Sequence, residues 1–68
     1  MLTERDTIHR IRKALASGNV TEPFRAADIN AALKIEFAGV FLPKHRIGNP
    51  GGNTELFVQI GRGLYRLK

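Results

Sequence analysis

The sequence contains no cysteine among its 68 residues, and this absence excludes several ways of stabilising a small domain. Without thiols the chain forms neither a disulfide framework nor a thiolate zinc site. A chain of this length buries only about 60% of the surface that it exposes when unfolded, so its core is small. We therefore expect a single domain, residues 1–68, of modest stability, and the lack of cysteine suits a reducing, cytoplasmic compartment.

Long apolar runs are also missing. None approaches the roughly 20 residues that a membrane-spanning helix needs. The first residues, MLTERDTIHRIRK, alternate charged and apolar side chains and lack the apolar centre of a secretory signal. We therefore expect neither a membrane partner nor a signal sequence.

Side chains suited to catalysis or metal binding are scarce. Ser17 is the only serine, and no acid–base partner lies near it in the sequence. His9 and His45 are far apart in the sequence, and with scattered carboxylates they do not supply the convergent ligands of a zinc site. The glycine-rich stretch GNPGGNT lacks the Lys-Ser/Thr ending of a nucleotide-binding phosphate loop. We expect no enzymatic activity, no metal and no cofactor.

Acidic side chains are few in the second half of the chain. Residues 37–68 contain five Lys and Arg side chains with Glu55 as their only acid, whereas residues 1–36 contain six basic and five acidic side chains. Most of the formal net charge of +5 therefore lies in the second half. A cationic surface of this kind attracts polyanions. The distribution favours a nucleic-acid partner, and a role in solubility alone is the alternative interpretation.

Local sequence signals define the first two helices. Residues 3–17 are predicted to form an amphipathic helix that Thr3 caps and Gly18 ends. One face of this helix carries Ile8, Ile11 and Leu15. An alanine-rich second helix is expected from about residue 26 to residue 33, because alanine has the highest helix propensity.

The stretch KIEFAGVFLPKHRIG is too apolar for a free loop and predicts a third helix. This helix begins near Phe37 or near Gly39, and Pro43 accordingly either ends it or lies in its first turn. The first alternative places Phe37, Val40 and Phe41 in the core. Tyr65 and all four phenylalanines are expected to be core residues, which leaves no aromatic platform for single-stranded nucleic acid.

Two apolar runs, LFVQI and LYRL, flank the tripeptide GRG. Their period-two alternation and the glycines between them predict a β-hairpin with strands 56–60 and 64–67. Pro23 limits the stretch before the second helix to a short edge strand around Phe24. The expected fold class is therefore α+β, with three helices, a C-terminal hairpin and that edge strand.

Two segments carry a family resemblance. FRAADINAAL resembles the opening of the second helix in many winged-helix domains, where an aromatic residue precedes Asp-Ile and a later Leu. FVQIGRGLYRL resembles the closing hairpin of small bacterial winged-helix modules and of the HARE-HTH type. The resemblance covers most of residues 5–67. It implies a winged helix-turn-helix domain that binds double-stranded DNA, with the third helix in the major groove and the hairpin, or wing, on the backbone or in the minor groove.

The resemblance implies DNA contacts at the end of the third helix and at the wing tip, and the polar loop between them is expected to add others. The expected contacts are Lys44, His45, Arg46, Asn49, Asn53, Thr54 and Arg62. Gly61 and Gly63 are expected to take positive φ, so that the backbone approaches a phosphate closely and Arg62 projects from the tip. A plain hairpin turn with a solvated arginine is the alternative for GRG, and packing at the helix end is the alternative for His45.

A protein-interaction module is the alternative function. Winged helices also serve as docking domains, and a fold does not determine a function. Arg10, Arg12 and Lys13 form a second basic patch on the first helix, which solubility or an acidic protein partner would explain. We expect a transcriptional regulator or an accessory DNA-binding module. Because a small monomer seldom specifies a long site, we also expect a homodimer or a larger protein partner.

Overall fold

Three helices followed by a two-stranded antiparallel hairpin make up the fold in the computed structural model, which describes residues 2–68. The helices are α1 (Glu4–Ser17), α2 (Ala26–Leu33) and α3 (Ala38–Lys44). The strands are β1 (Phe57–Gly61) and β2 (Leu64–Leu67). This order confirms the α+β fold class expected from the sequence. Of the helices within residues 2–68, none combines the length and the apolar composition that crossing a membrane requires.

Both ends of α1 follow from local hydrogen bonding. The side chain of Thr3 accepts a hydrogen bond from the backbone N–H of Asp6 (3.1 Å), and the Asp6 carboxylate accepts one from the backbone N–H of Thr3 (3.3 Å). At the other end Gly18 takes the left-handed conformation, with φ 83°, and its N–H donates to the carbonyl of Leu15. The predicted cap and the predicted helix end are therefore confirmed.

The capping box predicts a change of stability with pH. The hydrogen bond from the backbone of Thr3 is the main reason that the pKa of the Asp6 carboxyl lies below its ordinary value. Because folding lowers this pKa, the ionised carboxylate stabilises the fold at pH above the unfolded-state value, and the contribution is lost as pH falls through the folded-state value. We expect Asp6→Asn to abolish this acid-sensitive contribution. Thr3→Ala should cost about 1 kcal/mol at neutral pH, because it removes the cap.

Urea unfolding of the wild type and both variants, at neutral and at acidic pH, measures these effects. The stability gap between the wild type and Asp6→Asn should narrow in acid. A gap that stays the same from neutral to acidic pH would show that the Asp6 charge contributes nothing to the cap.

Asn30 connects α2 to α3. Its side-chain Oδ1 accepts a hydrogen bond from the backbone N–H of Ala38 at the start of α3 (2.9 Å). Lys34 ends α2 in the left-handed conformation (φ 56°), and its backbone N–H donates to the carbonyl of Asn30. The same asparagine therefore ends one helix and positions the next.

The core lies between the helices and the inner face of the hairpin, with Phe57 at its centre. The Phe57 side chain is fully buried and meets the rings of Phe24 and Phe41 edge to face, at centroid distances of 6.0 and 5.9 Å. Tyr65 is also buried, as expected. The other apolar side chains with no exposed surface are Ile11, Ile29, Ala38 and Leu42.

The buried face of α3 differs from the expected one. Ala38, Phe41 and Leu42 are buried, whereas Phe37 is 39% exposed and Val40 is 70% exposed. The placement of Phe37 and Val40 in the core is therefore wrong. A helix of seven residues makes about two turns and buries one face, so the residues opposite that face remain in solvent. Pro43 is the penultimate residue of α3, close to the predicted alternative in which it ends the helix.

A single bridge extends the hairpin beyond β2. Phe24 pairs antiparallel with Tyr65, and the backbone N–H of each residue donates to the carbonyl of the other at 2.9 Å. The predicted edge strand around Phe24 is therefore present as one bridged residue. It attaches the segment between α1 and α2 to the hairpin.

A second bridge extends the hairpin beyond β1. Arg46 pairs in parallel with Phe57: the N–H of Ile47 donates to the Phe57 carbonyl (2.8 Å), and the N–H of Phe57 donates to the His45 carbonyl (3.1 Å). The chain that leaves α3 is thereby held against β1. This bridge, which the sequence did not predict, positions the candidate site.

Candidate nucleic-acid interface

An open groove lies along the outer edge of β1. Residues 58–61 line one side of it, and Arg46 and Ile47 line the other. We call this feature the edge groove. It joins the segment after α3 to the hairpin, which are two of the regions in which the sequence predicted DNA contacts.

The backbone of Gln59 faces the edge groove. Tyr65, which lies opposite Gln59 in the hairpin, uses its N–H and its carbonyl for Phe24 on the far side of β2. Gln59 and Tyr65 therefore form a non-hydrogen-bonded pair of the antiparallel ladder. It follows that the N–H and carbonyl of Gln59 point away from β2 and into the groove. Within residues 2–68, the bridge at Phe57 is the only pairing on this edge of β1.

Of the predicted contact residues, Arg46 lines the edge groove, and Lys44 and Arg62 lie one or two residues along the chain from its lining. Lys44 is the exposed last residue of α3, and Arg62 follows the groove residue Gly61 in the turn of the hairpin. Within residues 2–68, the ion pairs with nitrogen and oxygen no more than 4.0 Å apart are those of His45 with Glu4 and of Lys68 with Glu55. The three cations around the groove are therefore not neutralised by a carboxylate of the described chain.

His45 does not belong to this surface. Its side chain is 2% exposed, and its ring lies against Phe41 with the centroids 4.7 Å apart. Nδ1 donates to the carbonyl of Thr54 (2.8 Å), since a carbonyl only accepts, and Nε2 lies 3.4 Å from Oε1 of Glu4. A side chain enclosed in this way does not reach a phosphate. The predicted DNA contact through His45 is wrong, and the alternative of packing at the helix end describes its position.

The side chain of Asn49 forms its hydrogen bonds within its own loop. Both hydrogens of its side-chain amide are engaged, because Nδ2 donates to the carbonyls of Arg46 and Asn53, each at 2.9 Å. Its Oδ1 accepts from the backbone N–H of Asn53 (2.8 Å). With no donor left for a phosphate, Asn49 closes the loop, and the predicted DNA contact through it is corrected. Asn53 remains half-buried and Thr54 exposed in the same loop.

Glu55, the only acid of residues 37–68, has partners at both of its carboxylate oxygens. Oε2 accepts from the backbone N–H of Gly48 (2.8 Å), and Oε1 lies 3.9 Å from Nζ of Lys68. The acid therefore holds the loop after α3 and offsets a cation at the end of β2. Neither contact involves the three cations around the edge groove.

The two glycines of GRG differ in backbone conformation. Gly63 has φ 71°, which a residue with a side chain adopts only with strain, and so the predicted positive φ is confirmed there. Gly61 is the last residue of β1 and is not among the glycines with positive φ, so that prediction is wrong for Gly61. A Cβ at Gly61 would meet the Leu64 side chain at 3.5 Å, an ordinary contact. The ladder is irregular between Gln59 and Gly61, next to the turn formed by Arg62 and Gly63.

The sequence did not single out Ile47, Gln59 and Ile60 as site residues. All three line the edge groove, and Ile47 and Ile60 are 43% and 51% exposed. The sequence did contain a signal for the exposure of Ile60, because period-two alternation puts this residue on the strand face opposite Phe57. For Ile47 there was none, because its exposure depends on the long-range bridge between Arg46 and β1.

The second basic patch lies in a different place. Arg10 and Lys13 line a depression between α1 and the end of α2, together with Lys34. This depression shares no lining residue with the edge groove. The two cationic surfaces can therefore be altered separately by mutation.

Comparisons of the chain with protein-family models, with curated proteins and with solved structures found no match. We therefore infer a function from the edge groove and from the side chains next to it.

Proposed function

We propose that the chain is a winged-helix domain that binds double-stranded DNA through the cations around the edge groove. A transcriptional regulator or an accessory DNA-binding module in the cytoplasm is the role that fits such an activity. The observation that carries the proposal is that Arg46 lines an open groove, with Lys44 two residues before it and Arg62 next to the groove residue Gly61, and that no carboxylate lies within 4.0 Å of these cations in residues 2–68. Three unneutralised cations on an accessible edge are what a polyanion requires.

The three cations suit phosphate binding in different ways. The planar guanidinium groups of Arg46 and Arg62 match two oxygens of one phosphate, whereas the ammonium group of Lys44 acts as a compact point charge. Thr54 and Asn53 are the remaining polar contacts from the loop. Such contacts position a duplex without reading its sequence, so the affinity depends mainly on the release of counterions.

Counterion release predicts a steep dependence of affinity on salt. If Lys44, Arg46 and Arg62 each neutralise one phosphate, the slope of log affinity against log salt concentration should be roughly −2.7. Fluorescence anisotropy of a labelled mixed-sequence duplex at several salt concentrations measures this slope. A slope near zero, or no binding at low salt, would contradict the proposal.

Docking of an acidic protein segment is the second candidate function. The N–H and carbonyl of Gln59 are free on the edge of β1, and the exposed Ile47 and Ile60 flank them. An extended chain pairs with such an edge and buries the neighbouring apolar side chains. Pairing between two copies of this chain would bring Arg46 and Arg62 of both copies together, so charge favours an acidic partner over a homodimer at this edge. A homodimer formed through another surface remains a prediction.

The two candidate functions predict different hydrogen exchange at the backbone of β1. A peptide that pairs with β1 should protect the amide of Gln59 from hydrogen exchange, because that amide becomes a donor in the new ladder. A duplex held by side chains should leave exchange at Gln59 nearly unchanged. Hydrogen exchange measured with a duplex, and separately with an extended acidic peptide, distinguishes the two.

A further inference from the structure

The solvent-facing side of α3 is poor in groups that recognise bases. Of the seven residues of α3, the exposed ones are Gly39, Val40 and Lys44. Base pairs are read in the major groove mainly by hydrogen bonds from residues such as Arg, Asn, Gln and Ser. Only Lys44 has a side-chain donor, and it lies at the last position of the helix.

The residues at the start of α3 also lack groups that could contact bases. In a helix-turn-helix domain, residues near the start of the recognition helix contact the base edges. In α3 those positions hold the buried Ala38, then Gly39 and Val40, with the half-exposed ring of Phe37 just before them. The helix is also only about 10 Å long. The end that would enter the duplex first therefore offers no side-chain hydrogen bond.

The hairpin has the groups that α3 lacks. Arg62 is exposed in the turn. Gln59 is exposed too, but it pairs with Tyr65 and therefore lies on the face of the hairpin that carries the core residues. Arg66 lies directly opposite Val58 on the outer face of the hairpin and is exposed as well. A two-stranded ribbon fits the major groove, and an arginine fits a narrow minor groove. Two exposed arginines, whose guanidinium groups donate hydrogen bonds to bases, thus lie on this one element.

We infer that the hairpin, rather than α3, enters a groove of the duplex, while α3 lies outside the groove and meets the backbone only through Lys44 at its last position. This inference rests on the proposed DNA binding and assigns the reading of the bases to Arg62 in the turn and to Arg66 on the outer face, which is also the face of Ile60. It reverses the roles that the family resemblance implies for the helix and the wing.

A matched pair of substitutions separates the two orientations. Val40→Glu puts a carboxylate in the middle of the exposed side of α3, and Ile60→Glu puts one on the hairpin. Both side chains are exposed, at 70% and 51%, and both changes lower the net charge by one unit. The long-range electrostatic effect is therefore the same, and the difference in affinity reports which element is inserted between the two phosphate backbones.

We expect Ile60→Glu to weaken binding to a mixed-sequence duplex by about 30-fold at moderate salt and Val40→Glu by at most about 3-fold. The opposite order, or equal large losses, would overturn the inference. Ile60→Lys and Val40→Lys extend the test in the other direction, since only Ile60→Lys should tighten binding appreciably. Thermal unfolding of all four variants verifies that they fold. If the wild type itself does not bind, the proposed function fails instead of this inference.

Discussion

Phe57→Ala is expected to remove 3–5 kcal/mol of stability, roughly the loss seen when a large aromatic side chain is deleted from a core. The Phe57 ring is fully buried and contacts Phe24 and Phe41, so the deletion leaves a cavity where three elements meet. A domain of this length is held by about 3–10 kcal/mol in total. Much of the Phe57→Ala population should therefore be unfolded at physiological temperature.

The control for this prediction is Val40→Ala, which also shortens an apolar side chain. Val40 is 70% exposed, so its truncation should change stability by about 0.5 kcal/mol or less. Urea unfolding followed by circular dichroism compares both variants with the wild type. If Phe57→Ala cost no more than Val40→Ala, the arrangement of the core described here would be incorrect.

The double charge reversal Arg46→Glu, Arg62→Glu is expected to lower the affinity for duplex DNA by at least about 100-fold. Each substitution removes a charge-assisted contact of about 1.5–3 kcal/mol and adds a repulsion. Neither arginine forms an ion pair within 4.0 Å in the part of the chain that the structure describes, so the loss of binding should come with little change in stability. Anisotropy titrations give the affinity, and thermal unfolding gives the stability.

The matched control is Arg12→Glu, Lys13→Glu on α1, which changes the net charge by the same amount. Both side chains are exposed and neither lines the edge groove. Because charges more than about 8 Å apart are largely screened at physiological salt, this variant should lose less than about 5-fold in affinity. A larger loss in the α1 variant than in the edge-groove variant would move the interface to α1.

Local signals made much of the fold predictable from the sequence. Thr3 and Gly18 set the ends of α1 through hydrogen bonds to residues no more than four positions away. The high helix propensity of alanine predicted α2, and the period-two alternation of apolar residues on both sides of GRG predicted the hairpin. In each case the residues that determine the element lie within it or next to it.

The features that could not be predicted depend on contacts between distant parts of the chain. His45 is buried because Thr54 and Glu4 meet its two ring nitrogens, and no local pattern links residue 45 to residue 4. Val40 faces solvent because Phe41 is the residue of α3 that meets Phe57. Because both faces of this short helix are apolar, its composition does not indicate which face is buried.

The candidate site was predictable in its charges but not in its shape. The excess of basic residues after residue 36 is visible in the sequence, and it includes Lys44, Arg46 and Arg62. The edge groove exists because Arg46 pairs with Phe57 and leaves the rest of that edge of β1 open. Ten residues of loop and turn separate these two partners, and the pairing has no local signature.

The most direct test of the proposed interface is an NMR titration of the isotope-labelled domain with a mixed-sequence duplex, first at low and then at moderate salt. We expect the amide shifts to concentrate in residues 44–47 and 58–63 and to shrink as the salt concentration rises. Shifts centred on α1, or no shifts at low salt, would contradict the proposed interface.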